Sequence, residues 1–242
     1  MTLLTYLAVH AQFVIPPLAA LAAGAHWRRR EHVDPRVGAA GTAVLVVLAL
    51  AYTTPWDRLL IRQGVWWYGT GRVAGRLWGV PYEELLFFVL QTLLTALWTL
   101  QVDGPVVEGI RHTRRDGAVG AAAGLAVSGV GVALLAAGPS TLYLGAILAW
   151  AGPVLAIQWA AGWRYLLAVP KRVALAVSVP TVYFWGVDRV AIEAGVWIIA
   201  PEYTTGLAVA GLPVEEMAFF LVTNLFVVQG LVLFRWVVFR WR

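Results

Sequence analysis

Seven stretches of this chain are apolar almost without interruption. They run from Leu3 to about Gly24, Val37 to Thr54, Pro81 to about Val102, Gly117 to Ala137, Thr141 to about Ala160, Leu166 to Gly186, and Leu212 to about Val238. About 20 residues at a rise of 1.5 Å each cross the ~30 Å hydrocarbon core of a bilayer as a helix. Membrane-spanning strands would alternate apolar and polar positions, and these stretches do not. The pattern predicts an all-α integral membrane protein of about seven transmembrane helices. The longest connections are 55–80 and 187–211.

Composition strengthens this assignment. The 242 residues are 60% hydrophobic and only 13% charged, with a mean hydropathy of +0.75. A soluble domain carries about a quarter charged residues. There is no cysteine, which removes disulfides and thiolate metal sites, and four scattered histidines make no imidazole metal site. The net charge of +5 sits in short clusters between apolar stretches, which reads as membrane topology and excludes a nucleic-acid face. The first stretch lacks a basic leader and exceeds signal-peptide length, so it is read as a retained span. With the N-terminus outside, inner segments hold 13 of the 18 Lys and Arg residues, including Arg28–Arg30, and outer segments hold 5. The expected orientation is N-terminus outside and C-terminus cytoplasmic.

The sequence also repeats. Asp57-Arg58 and Gly64-Val65-Trp66 recur 131 positions later as Asp188-Arg189 and Gly195-Val196-Trp197. Gly79, Pro81, Glu83-Glu84 and Phe87-Phe88 recur 132 positions later as Gly211, Pro213, Glu215-Glu216 and Phe219-Phe220. Three spans (1–102), a linker span (103–140) and three more spans (141–242) therefore form two parallel repeats that cross in the same direction. The linker span carries Gly120, Gly124, Gly129 and Gly131 among alanines, which predicts a closely packed central helix.

The candidate chemistry lies in the paired acids. Carboxylates at a membrane boundary are costly and usually mark function. Glu83-Glu84 and Glu215-Glu216 each open a helix behind a proline, where N-terminal capping is the ordinary alternative role. Two adjacent carboxylates in a water-poor setting are expected to share a proton, leaving an acid beside a base. Asp57 and Asp188 join them as candidates, with Arg58 and Arg189 as ion partners. Trp66 and Trp197 hold the same place in both repeats and can stabilise a cation. Phe87, Phe88, Phe219 and Phe220 are candidate pocket walls. The remaining tryptophans and tyrosines read as an interfacial belt.

The doubled words Asp-Arg, Gly-Val-Trp and Gly-x-Pro-x-Glu-Glu-x-x-Phe-Phe resemble the heterodimeric lycopene cyclase family, here in fused form. Trp150, Pro153, Gln158 and Trp159 extend the likeness. The resemblance implies that ψ ends of lycopene, or of related linear carotenoids, close to β rings without redox change. An acid protonates C2, the C5–C6 double bond attacks the cation at C1, and a base removes the C6 proton. Glu83, Glu84, Glu215, Glu216, Asp57 and Asp188 are the implied catalytic groups, in one pocket between the repeats within membrane lipid. No cofactor is implied, and no Gly-x-Gly-x-x-Gly follows a strand. Two other readings stay open: a small transporter of three, one and three spans with proton-coupling acids, or another carotenoid end-group enzyme such as a hydratase.

Overall fold

The computed structural model describes residues 4–27 and 34–241. The basic run Arg28–Arg30 and the terminal Arg242, all used above to orient the chain, lie outside them. Seven helices are long and apolar enough to cross a membrane: α1 Tyr6–Ala25, α2 Pro35–Gln63, α3 Tyr82–Val102, α4 Arg114–Ala137, α5 Leu142–Ala168, α6 Pro170–Glu193 and α7 Val214–Arg240. The protein is an all-α, multi-span membrane protein.

Helix ends follow from local chemistry. Asp34 caps α2 by accepting the Arg36 amide at 2.9 Å, with Pro35 in the first turn. Gly64, at φ 75°, ends that helix in the left-handed conformation that a β-carbon would disfavour. Thr113 and Asp116 form a reciprocal capping box at the start of α4.

Two helices outrun their apolar stretches. α2 continues nine residues past Thr54 to Gln63, and α6 continues from Gly186 to Glu193. Polar residues such as Asp57, Arg58, Arg62 and Asp188 dilute the hydropathy there, yet the backbone hydrogen bonds persist. Asp57 and Asp188 are thus helical residues, not loop residues. The fifth span breaks at Gly162, whose φ of −178° and ψ of 42° are not helical, close to the expected end near Ala160, and a second helical segment continues to Ala168.

α7 is the central helix, packed against α2, α3, α5 and α6. α4 is not central. It lies along α5 on one face, while Val119, Leu125, Val130 and Val132 are exposed on the other. A β-carbon at Gly120, Gly124 or Gly131 would run into the α5 backbone near Trp159, Ala156 and Ala149, whereas Gly129 faces open space. α5 answers with Gly145 and Gly152. Three of the four glycines thus form one contact stripe, and a single stripe joins only one neighbour. Gly124→Leu should force α4 off α5 at a cost of about 1–3 kcal/mol, the usual range for overpacking. The check is a lowered thermal midpoint in detergent, while Gly129→Leu leaves it unchanged.

A polar seam joins α3, α6 and α7. The Gln91 amide donates to Thr223 Oγ1 at 2.7 Å, Thr95 donates to Asn224 Oδ1 at 2.6 Å, and Asn224 Nδ2 donates to Thr181 Oγ1 at 3.1 Å. Such bonds between membrane helices contribute about 1 kcal/mol each. At the opposite end from the acid pairs, buried Arg235 of α7 is ion-paired with buried Asp103 at the end of α3.

Candidate functional site

Three short two-stranded ladders crown one end of the bundle. β1 (Trp66–Tyr68) pairs antiparallel with β4 (Trp197–Ile199), Trp66 facing Ile199 and Tyr68 facing Trp197. Each copy of the Gly-Val-Trp word is therefore bonded to the residues that follow the other copy, Ala200 N donating to the Val65 carbonyl at 2.9 Å and Gly69 N to the Val196 carbonyl at 3.1 Å. β2 (Arg76–Leu77) pairs with β3 (Val80–Pro81), and β5 (Ala208–Val209) pairs with β6 (Leu212–Pro213). Each of these hairpins turns through two residues with positive φ, Trp78 and Gly79 at 56° and 89°, Ala210 and Gly211 at 51° and 82°. That is the turn whose twist suits a two-residue hairpin. It accounts for the glycine two residues before each proline.

The Asp-Arg words now divide. Arg58 Nε donates to the Trp78 carbonyl at 2.8 Å, and Arg189 Nε donates to the Ala210 carbonyl at 2.6 Å. Each arginine therefore latches a strained non-glycine turn residue. Arg189 also pairs with Glu193 at 2.8 Å. Neither is brought to the carboxyl cluster, because consecutive residues of a helix point about 100° apart and the aspartates take the inward face. The expected ion partnership with Asp57 and Asp188 is not what the structure has.

The Glu-Glu words divide the same way. Glu83 Oε1 accepts the Ala74 amide at 2.7 Å, and Glu215 Oε1 accepts the Thr205 amide at 2.7 Å and its hydroxyl at 2.8 Å. Both turn back to tie down the loop before their own hairpin. Glu84 and Glu216 turn the other way, into a slot of about 50 Å³ that Asp57 and Asp188 also line. The acid pairs within the slot are therefore not the sequence neighbours.

The slot lies where six helices bring the same end together. Tyr6 begins α1, Asp57 lies near the end of α2, and Glu84 begins α3. Tyr143 begins α5, Asp188 lies near the end of α6, and Glu216 begins α7. Glu84 Oε2 accepts from the Tyr68 hydroxyl at 2.7 Å, and Tyr6 lines the slot with them. Trp66 Nε1 donates to Tyr68 at 3.3 Å. Burial, and then the nearby Glu84 charge, hold the Tyr68 hydroxyl well above the usual phenol range, so it stays a donor. Glu216 Oε1 accepts from the Tyr143 hydroxyl at 2.8 Å, and Asp188 Oδ1 accepts from Trp197 Nε1 at 2.9 Å while its Oδ2 is buried with no hydrogen-bond partner among the described residues. Asp57 Oδ2 is buried with no hydrogen-bond partner among the described residues.

Aromatic rings wall the slot. Trp56 stacks on Phe219, with centroids 5.9 Å apart and planes within 3°, and Phe87 meets Phe220 edge-on at 6.0 Å. Trp66, Trp197, Phe184 and Val187 complete the lining, and no lysine or arginine is among the described residues there. Of the four expected phenylalanines, Phe87, Phe219 and Phe220 face the slot, and Phe88 lines a neighbouring groove. Sequence reasoning assigned Trp56 and Tyr68 to the interfacial belt and missed Tyr6 and Tyr143. The last two are 137 positions apart, off the 131–132 spacing that exposed the other pairs.

Fold and slot together define a polytopic membrane protein with a buried carboxyl cluster ringed by aromatic side chains. The sequence profile of the lycopene cyclase family matches residues 4–100 and 140–234, and the chain belongs to that family. It is 53% identical over 240 residues to the lycopene beta-cyclase of Halobacterium salinarum, covering 98% of this chain and 99% of that protein. It is 34% identical to the bifunctional lycopene cyclase/phytoene synthase of Aspergillus oryzae and 35% identical to that of Neurospora crassa. In both comparisons 95% of this chain aligns with 39% of the fungal protein. No solved structure matches.

Proposed function

We propose that this protein is a lycopene β-cyclase of carotenoid biosynthesis, acting on linear carotenoids by proton-initiated, non-redox ring closure. The observation that carries this reading is the meeting of Glu84, Asp57, Glu216 and Asp188 in one aromatic slot drawn from both ends of the chain. Family membership and the Halobacterium relative support it.

In this reading the four slot carboxyls are catalytic, while Glu83 and Glu215 hold the hairpins. Glu216, beside Asp188 in the slot, is the donor to C2 of the ψ end, and the two form the donor pair. Glu84, oriented by the Tyr68 hydroxyl, accepts the C6 proton after the C1–C6 bond forms. One proton enters and one leaves, so the product is an isomer. The proton then returns through the cluster from Glu84 to the pair. Trp56, Trp66 and Trp197 turn faces or edges to the slot and stabilise the intermediate cation, and apolar walls keep water from capturing it.

Expression in cells that accumulate lycopene tests the function. β-Carotene is expected in the pigment extract. In D₂O each ring formed should carry one solvent deuterium at C2. Unchanged red pigment refutes the cyclase reading, and a hydroxylated product replaces it with a hydratase.

We infer further that residues 1–102 and 141–242 are parallel repeats joined by the 103–140 linker, and that membrane lipid surrounds the bundle. The N-terminus and the slot lie on the outer side, and the C-terminus is cytoplasmic. The excess of basic residues in the opposite loops supports this. The native chain has no cysteine, so single cysteines report cleanly. Thr70→Cys should react with an impermeant maleimide in intact cells, and Glu108→Cys only after permeabilisation. The reverse pattern inverts the topology.

A further inference from the structure

The slot is too small for more than one end of a long polyene. A second, larger cavity of about 510 Å³ adjoins it on the side of the bundle formed by α2, α5 and α7. Phe219 lines both spaces. Trp56 of the slot stacks on Trp150 of the groove, with ring centroids 4.7 Å apart and planes 21° apart. Along α7 the groove reaches from Phe219 to Val237. At 1.5 Å per residue that is roughly 27 Å, close to the thickness of the hydrocarbon core. Its lining is almost wholly apolar and includes Val44, Leu48, Val154 and Phe226. Two other large cavities, about 650 Å³ between α4, α5, α6 and α7 and about 470 Å³ between α2 and the β2–β3 hairpin, share no lining residue with the slot.

We propose that the α2–α5–α7 groove holds the polyene body of the linear carotenoid whose end group occupies the slot, with Trp150 and Phe219 forming the threshold between them. The inference rests on the cyclase reading for the identity of the ligand. Its own support is the continuity of groove and slot and the match between groove length and membrane depth. The substrate then lies across the bilayer against the outside of the bundle and enters sideways from lipid, without passing through water. To cyclise its second end it must leave the groove and return reversed, so a one-ring intermediate is released between the two closures.

The test narrows the groove far from the acids. Val44→Phe and Val154→Phe, singly and together, are compared with Val177→Phe, which narrows the unconnected cavity between α4, α5, α6 and α7. The full-length protein is reconstituted in nanodiscs. Lycopene affinity is followed by quenching of tryptophan emission, and turnover by chromatography of the pigments. The groove variants are expected to raise Kd and KM about tenfold or more, as overpacking of this kind does. They should leave kcat within about twofold, and Val177→Phe should change neither. Val44 is half-exposed, so that single variant serves where the pair impairs insertion. Unchanged Kd and KM in the groove variants, or a rise confined to Val177→Phe, overturns the proposal. A wild-type protein that binds lycopene in the groove without converting it would instead refute the cyclase reading alone.

Discussion

Glu216→Gln should stop ring formation almost completely while the protein still inserts in the membrane. Removing a positioned general acid or base typically costs about 10²–10⁴ in rate. Gln keeps the size of the side chain and can still accept from Tyr143, but it cannot give up a proton to the substrate. Glu84→Gln should have an effect of the same order, by removing the acceptor. The neighbours provide the control. Glu83→Gln and Glu215→Gln weaken bonds to the Ala74 and Thr205 amides, each worth about 1.5–3 kcal/mol for a charged acceptor. They should lower thermal stability and spare much of the turnover. Pigment composition and unfolding midpoint, measured on all four variants, separate the two roles. Wild-type turnover in Glu216→Gln and Glu84→Gln would remove the proton-transfer reading.

Asp103→Leu is expected to be the most destabilising single change outside the slot. It removes one ion partner of Arg235, which is buried at the far end of α7 and also donates to the Gly104 carbonyl, and the carboxylate that Arg172 approaches at 3.9 Å. Breaking one side of a buried ion pair typically costs about 3–5 kcal/mol, because the remaining charge is left in a medium that cannot solvate it. Replacing both partners by apolar residues is often close to neutral. The double variant Asp103→Leu/Arg235→Leu should therefore recover much of the midpoint lost by the single one. Equal losses in single and double variants would show that the helix contacts, and not the uncompensated charge, set the stability here.

The spans were legible because lipid leaves an apolar signature about 20 residues long, and the acid words were legible because they occur twice. The direction of each glutamate was not. One residue of helix turns a side chain by about 100°, and that phase is fixed by a two-residue hairpin turn that no apolar pattern encodes. Adjacency therefore suggested a Glu83–Glu84 proton pair, whereas the acids that line one slot are Asp57, Glu84, Asp188 and Glu216. The ends of α2 and α6 were hidden by the very polar residues that furnish the slot. Tyr6 and Tyr143 carried no repeat signal, since their helices start at a different spacing. The place of α4 was obscured because a glycine stripe reports close contact without reporting how many neighbours make it.

The ladder between β1 and β4 has a bearing on when the protein becomes competent. Trp66 leaves the ribosome about 130 residues before its partner Ile199, and the α7 residues that finish the slot follow later still. Contacts of such long sequence separation close late, after the entropy of the intervening chain has been overcome. A nascent chain therefore carries Asp57 and Glu84 into the bilayer without their counterparts. The acid centre is completed only by the last helix, which makes that closing step the natural checkpoint between a translated chain and a working enzyme.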